Sequence, residues 1–186
     1  LNCYPLSILS VPGAKECCLE LNSLSKAHNM SGWRIGMVAG AEDLVSEVLK
    51  VKSQMDSGMF RPLQLAAVEA LSEGERWFAS LNAEYRRRKE AAGRIFDLLG
   101  VRYDPSSQGL FLWGKVDPEC PLLKGRTEET LGKRLSEAVL QGAGVFITPG
   151  FIFGRNGKDY VRISLCAPDE ALENAYYKVQ SVLEAV

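Results

Sequence analysis

The sequence predicts an α/β fold, because short apolar runs and helical patterns follow one another along its 186 residues. The runs ECCLEL at 16–21 and IGMVAG at 35–40 are typical of short buried strands. Apolar residues at helical spacing follow in AEDLVSEVLKVKSQM at 41–55 and, after Pro62, in LQLAAVEALS. The first part of the chain is therefore expected to combine two strands with two helices.

A long, charge-rich helix is predicted over residues 73–99, where Gly100 ends it. Its RRRKE cluster is interpreted as a solvated helix face with acidic partners at Glu84 and Glu90, rather than as a nucleic-acid site. A helix of this length is a natural connector between two domains.

The part that follows Gly100 has an α+β pattern. Its predicted elements are strands at 110–116, 144–150 and 160–165, a helix at 127–141 with Thr127 as its N-cap, and a last helix with Pro168 in its first turn. This pattern indicates a few strands that helices cover on one face.

Charge and hydropathy exclude two classes of partner. The 22 basic and 23 acidic residues give a net charge of −1, so no basic surface is expected for nucleic acid or for an anionic membrane. No apolar run approaches the ~20 residues that span a bilayer. The start LNCYPLSILSVPGAKE lacks a basic n-region, so no signal peptide is expected.

The cysteines predict a cytoplasmic protein with reduced thiols and no metal site. They are odd in number and contain no C-x-x-C pair, as the positions Cys3, Cys17, Cys18, Cys120 and Cys166 show. Cys17 and Cys18 are neighbours on a predicted strand, so their side chains are expected on opposite faces. His28, the one histidine, does not supply the missing ligands and is interpreted as a loop residue.

The segment NSLSKAHNMSGWRIG at 22–36 places Lys26 among small hydroxyl residues and eight positions before Arg34. A nearby cation and partial burial both favour an uncharged lysine amine, which is a nucleophile toward aldehydes. The hydroxyls of Ser23 and Ser25, together with the guanidinium of Arg34, suit a phosphate. A phosphorylated aldehyde, pyridoxal 5′-phosphate, fits both features.

The segment SLSKAHNMSGWRIG at 23–36 resembles the lysine signature of class I and II aminotransferases, which are fold-type-I pyridoxal-phosphate enzymes, at every constrained position. The resemblance implies that Lys26 forms the internal aldimine and is the general base. It also implies that Ser23 and Arg34 bind the cofactor phosphate, with Ser25 as a weaker candidate. Gly32 and Gly36 would serve a tight turn and close packing.

The segment TPGFIFGRNGKDYVRISLCAPDEALENA is similar to the C-terminal domain of the same family. By this resemblance Arg162 binds the α-carboxylate of the substrate. A planar guanidinium on a rigid strand holds a carboxylate with two hydrogen bonds and so orients the substrate.

The resemblance also implies the domain organisation and the activity. Residues 1–72 would end the large cofactor-binding domain, and residues 73–186 would form the connecting helix and a small C-terminal domain. The glycine-rich phosphate turn, the stacking aromatic residue and the aspartate of the family's N-terminal half have no counterpart here. We therefore expect a C-terminal portion that is inactive alone, from a homodimeric enzyme that transfers an amino group between an L-amino acid and a 2-oxo acid.

Three alternatives remain at the level of sequence. C–S lyases and decarboxylases of the same fold type share the lysine motif and the electron-sink chemistry. Some transcription regulators use an aminotransferase-like domain as a ligand sensor. A degenerate domain that only dimerises is the third, and the presence of Lys26, Arg34 and Arg162 argues against it. The sequence does not identify the amino-group donor.

Overall fold

The computed structural model describes residues 6–185 of the chain. The chain divides into two compact units, residues 1–78 and 79–186. That these units correspond to the end of a large domain and to a small domain stays a prediction. Among the described residues, no helix is long and apolar enough to cross a membrane.

The first unit contains a two-stranded antiparallel sheet. Its strands are β1 (Leu19–Ser23) and β2 (Gly36–Gly40), and Leu19 lies opposite Gly40 at one end while Ser23 lies opposite Gly36 at the other. Both predicted strands are present, but β1 starts three residues later than expected because a short helix, α1 (Ala14–Cys17), precedes it. Their expected burial is wrong, since Leu21 of β1 is 75% exposed and Met37 of β2 is 51% exposed. The segment of residues 24–35 therefore connects two paired strands.

The expected orientation of Cys17 and Cys18 is wrong. Cys17 ends α1 and Cys18 follows it as the C-cap, and their Sγ atoms lie 3.8 Å apart. Successive side chains point to opposite faces only in an extended strand, and the helical turn at Cys17 removes that alternation. The two thiols are therefore neighbours in space as well as in sequence.

Three further helices belong wholly to the first unit: α2 (Leu24–Ala27), α3 (Glu42–Met55) and α4 (Arg61–Leu71). The predicted helices at 41–55 and after Pro62 are thus confirmed. The buried cluster of this unit consists of Leu24, Met30 and Ile35 from the connecting segment and Ala67 from α4. The small core is therefore built around the segment that joins β1 to β2.

Helix α5 (Glu75–Leu98) begins in the first unit and continues in the second, which confirms the long helix predicted from sequence. The remaining elements are β3 (Arg102–Tyr103), β4 (Phe111–Lys115), α6 (Leu131–Ala143), β5 (Thr148–Pro149), β6 (Tyr160–Ser164) and α7 (Asp169–Glu184). The four strands form one antiparallel sheet in the order β3-β4-β6-β5. The two-residue strand β3 was not predicted from sequence, and neither were the short helices α1 and α2.

One face of this sheet packs on helices. Leu112 of β4 and Val161 of β6 are fully buried in the core of the unit. Helices α5, α6 and α7 contribute to the same cluster through Phe96, Leu135 and Val179 respectively. The alternate residues of β4 and β6 lie on the other face of the sheet, since side chains alternate along a strand.

The predicted N-cap of α6 is wrong. The helix begins after Thr130, whose hydroxyl accepts the backbone N–H of Lys133 at 3.3 Å. Residues before it are held outside the helix, because Arg134 donates from Nε to the carbonyl of Glu128 at 2.6 Å. Thr127 therefore lies three residues ahead of the cap.

Candidate functional site

The segment that contains Lys26 is a closed loop. Ser23 pairs with Gly36 at its base, and the N–H of Leu24 donates to the carbonyl of Ile35 at 3.3 Å. A Cβ on Gly36 would lie 2.6 Å from the backbone oxygen of Asn22, so the two strands approach closely only because this residue is glycine. The expected packing role of Gly36 is confirmed.

Gly32 differs from Gly36. A Cβ added there meets no heavy atom within 4 Å, so close packing does not require glycine at this position. The expected packing role of Gly32 therefore has no counterpart among its neighbours.

Lys26 lies on α2, a single helical turn at the start of the loop. Ser23 caps this turn, since its hydroxyl accepts the backbone N–H of Ser25 at 3.2 Å. The side chain of Lys26 is exposed, whereas the sequence suggested partial burial. Its Nζ has no hydrogen bond or ion pair to another described residue, so the amine is available to an external group.

Arg34 ends the loop in a strained backbone conformation. It has φ 54° and ψ 47°, in the left-handed region. Across the described chain, the non-glycine residues with positive φ are Arg34 and Asn29, and both belong to this loop. Such a conformation costs a non-glycine residue roughly 1–2 kcal/mol, and backbone strain of this kind is concentrated at functional sites.

The guanidinium of Arg34 retains most of its donors. Nη1 donates to the carbonyl of Ser31 at 3.0 Å, and the side chain is exposed. Among residues 6–185, the side chain of Arg34 has no other hydrogen-bond or ion-pair partner. Because a guanidinium has five N–H donors, Arg34 can still bind an anion.

Two aromatic residues of α5 contact the loop just after Lys26, and sequence reasoning missed both. The indole Nε1 of Trp77 donates to the carbonyl of Ala27 at 3.2 Å. The ring of Phe78 meets that of His28 edge-on, with centroids 5.4 Å apart. These contacts join positions about 50 residues apart in sequence, which no local pattern indicates.

Arg162 lies on the open face of the second sheet. It occupies the middle of β6, opposite Trp113 of β4 and Thr148 of β5. Its guanidinium carbon is 4.0 Å from the ring centroid of Phe111 and 4.3 Å from that of Phe153. Its Nε is buried and has no hydrogen-bond partner.

Arg162 differs from the other half-buried arginines in that its guanidinium has no oxygen partner among the described residues. Arg134 donates from Nε to the carbonyl of Glu128 at 2.6 Å. Arg88 pairs with Glu84 at 2.7 Å, and Arg126 pairs with Glu128 at 3.0 Å. Within the described part of the chain, the side chain of Arg162 has neither an ion pair nor a hydrogen bond. An uncompensated, partly desolvated guanidinium is a candidate anion site.

Trp113 and Tyr160 form ring contacts beside these two phenylalanines, and we call the four residues the aromatic face: Phe111, Trp113, Phe153 and Tyr160. The rings of Trp113 and Tyr160 stack at 5.4 Å, and Phe153 meets Trp113 edge-on at 5.7 Å. Strand alternation places Phe111, Trp113 and Tyr160 on one side, but Phe153 comes from a 3-10 turn. The sequence therefore gave no signal for its contact with Arg162.

Comparison with known proteins identifies the family of this chain. Residues 5–179 match the model of the family "Aminotransferase class I and II". LL-diaminopimelate aminotransferase of Oleidesulfovibrio alaskensis is 40% identical over 181 residues, which are 97% of this chain and 44% of the relative. The enzyme of the same name from Aquifex aeolicus is also 40% identical, over 96% of this chain and 43% of its own length. This chain therefore spans less than half of these curated relatives.

Solved structures give the same result for the fold. BacF of Bacillus subtilis in its apo form has a TM-score of 0.82 and 32% identity, over 97% of this chain and 46% of that one. An aminotransferase from Staphylococcus aureus has a TM-score of 0.79 and 26% identity, over 98% of this chain and 46% of its own. The mixed helix and sheet fold is thus that of aminotransferases. The chain belongs to the class I and II aminotransferase family, whose enzymes depend on pyridoxal phosphate.

Proposed function

We propose that this chain is part of an aminotransferase that moves an amino group between an L-amino acid and a 2-oxo acid, with Lys26 as the residue that binds the cofactor. The supporting observation is the loop itself. Its exposed lysine amine has no partner among the described residues, and the strained Arg34 closes the same loop with free N–H donors.

The residues on the loop fit the two ends of pyridoxal phosphate. Lys26 would hold the aldehyde end, and Arg34 and Ser23 would hold the phosphate, with Ser25 as a weaker candidate. A guanidinium and hydroxyl groups are suitable phosphate ligands because they donate several hydrogen bonds to one anion. When bound, the cofactor supplies an electron sink for the electrons of the substrate Cα–H bond.

The chain's own residues would then perform two tasks. Nζ of Lys26 would act as a general base and acid. It would accept the proton from the substrate Cα and deliver it to the C4′ carbon of the cofactor. Arg162 would hold the α-carboxylate, so that the Cα–H bond keeps one orientation. Its lack of an acidic partner supports this role, since the positive charge remains available for the substrate.

The proposed activity requires more polypeptide than these residues provide. The chain spans 44% of the relative from O. alaskensis, and the first unit leaves large apolar side chains exposed, including Leu21 at 75% and Met55 at 79%. We therefore propose that the 186-residue chain alone is inactive and that further polypeptide, together with a second subunit, completes the enzyme.

The names of the relatives suggest the first donor to test. Several of them, from O. alaskensis to A. aeolicus, are named LL-diaminopimelate aminotransferase, so LL-diaminopimelate is the donor that we propose.

The cysteines support the compartment that we propose. Cys17, Cys18, Cys120 and Cys166 are free thiols, which supports a reducing, cytoplasmic compartment.

Borohydride reduction in the presence of pyridoxal phosphate, followed by peptide mapping, tests the role of Lys26. Borohydride fixes the cofactor on the lysine that holds it, so we expect one labelled peptide, which contains Lys26. K26A should lose the label, whereas K15A, at an exposed lysine of the same unit, should keep it. The reaction is performed on this chain and on a polypeptide extended to the length of the relatives.

Label scattered over surface lysines in both proteins would contradict the proposed cofactor site. In the extended polypeptide, product analysis then tests the reaction. An aminotransferase yields a 2-oxo acid and aminated cofactor, whereas release of ammonia and pyruvate would indicate a C–S lyase instead.

A further inference from the structure

The two phenylalanines that touch Arg162 have a position that a packing role alone does not explain. Phe111 comes from β4 and Phe153 from the 3-10 turn at Gly150–Phe153, so two separate elements deliver a ring to one guanidinium. Both rings lie within the ~6 Å over which a cation is attracted to an aromatic face. They remain 39% and 51% exposed, so neither belongs to the buried core.

We propose that Phe111 and Phe153 are positioning residues of a carboxylate site: they hold the Arg162 guanidinium in the place that an acidic side chain usually takes. The proposal rests on the function proposed for Arg162 and extends it to two residues that the sequence did not indicate. The ligand class is a carboxylate, which matches the planar donor edge of a guanidinium.

The contacts of the Arg162 guanidinium determine whether its positive charge is compensated. A partly buried cation requires a compensating contact, because removal of water from a charged group is unfavourable. A carboxylate partner would supply it, but it would also occupy the N–H donors and neutralise the charge. An aromatic ring attracts the cation through its face and uses no N–H donor. Arg162 therefore has its contacts to two rings while its charge lacks an acidic partner, and its Nε is unpaired.

The ring of Phe153 has further contacts that hold it in place. Trp113 meets the ring of Phe153 edge-on at 5.7 Å and stacks on Tyr160 at 5.4 Å. The turn that contains Phe153 is closed by a bond from the N–H of Gly154 to the carbonyl of Phe151 at 3.0 Å. Because the rings are fixed before any ligand arrives, less side-chain freedom is lost on binding.

The experiment measures carboxylate binding at Arg162 in the 186-residue chain. The side-chain N–H signals of 15N-labelled arginine are followed by NMR during titration with sodium acetate, and sodium chloride at equal ionic strength corrects for screening. F111L and F153L each keep an apolar side chain but remove one of the two rings that contact Arg162. F153Y restores an aromatic ring, F146L changes an exposed phenylalanine without a contact to Arg162, and R162K replaces the guanidinium.

We expect the signal of Arg162 to respond to acetate in the unmodified chain, in F146L and in F153Y. In F111L and F153L the dissociation constant should rise about 5- to 30-fold, since a partly desolvated cation–π contact has that strength. Thermal unfolding of each variant is measured in parallel. A loss of affinity without a matching loss of stability separates positioning from packing.

Two outcomes overturn the inference in different ways. If the Arg162 signal responds to acetate but F111L and F153L bind acetate as tightly as the unmodified chain, Arg162 keeps its proposed role and the rings do not position it. If the Arg162 signal does not respond to acetate at all, the proposed carboxylate site fails and the inference fails with it.

Discussion

The substitution W77F is expected to loosen the helical turn that presents Lys26. It keeps an aromatic ring of similar shape but removes the indole N–H, which donates to the carbonyl of Ala27 at 3.2 Å. Helix α2 has only four residues, and one turn is unstable by itself because nucleation fixes several dihedral angles for one hydrogen bond. A long-range bond at its C-terminal end should therefore matter.

The structure sets the size of this effect. A hydrogen bond of this kind contributes about 0.5–1.5 kcal/mol net, so its loss should raise the population of the open loop about 2- to 13-fold. The N–H groups of His28 and Met30 report on this opening, because both donate to the carbonyl of Leu24, at 3.2 and 3.3 Å.

Amide hydrogen exchange is the assay. W77F should lower the protection of His28 and Met30 by the same factor, while amides of β6 in the second unit keep theirs. The control is R76Q, the neighbouring exposed residue on the same helical turn, which leaves the indole in place. Unchanged protection in W77F, or an equal loss in R76Q, would refute the reasoning that this bond fixes the lysine-bearing turn.

Three further predictions concern the second unit. T130A removes the hydroxyl cap of α6 and should cost about 1 kcal/mol of unfolding free energy in a urea titration, whereas T127A should cost almost nothing; equal effects would contradict the cap assignment. L112A opens a cavity at a fully buried position and should cost about 2–5 kcal/mol, and a loss well below that range would mean that the core collapses around the site. Burial raises the pKa of the Cys120 thiol, so at pH 8 its thiolate fraction is low and iodoacetamide should alkylate it only after unfolding. The exposed Cys166 should react in the folded chain, and equal rates measured by mass spectrometry would show that Cys120 is accessible.

Local patterns determined most of the elements. Apolar residues at helical spacing predicted α3, a long charge-rich stretch that ends at Gly100 predicted α5, and short apolar runs predicted β4 and β6. The errors occurred where a local choice depends on distant contacts. Thr127 and Thr130 are both suitable N-caps by residue type. In the structure the carbonyl of Glu128, which lies between them, accepts a bond from Arg134, and the helix begins after Thr130.

The sequence by itself determined the chemistry that the chain offers. The spacing of Ser23, Lys26 and Arg34 specified an amine, hydroxyls and a guanidinium on one segment, and these residue types fit a phosphorylated aldehyde. Only the tertiary structure showed that this segment is closed at its base, that Trp77 donates a hydrogen bond to it, and that the rings of Phe111 and Phe153 lie against the guanidinium of Arg162. The physical reason is that chemical identity belongs to each residue, whereas strain, pairing and compensation of charge depend on neighbours that the fold brings from far along the chain.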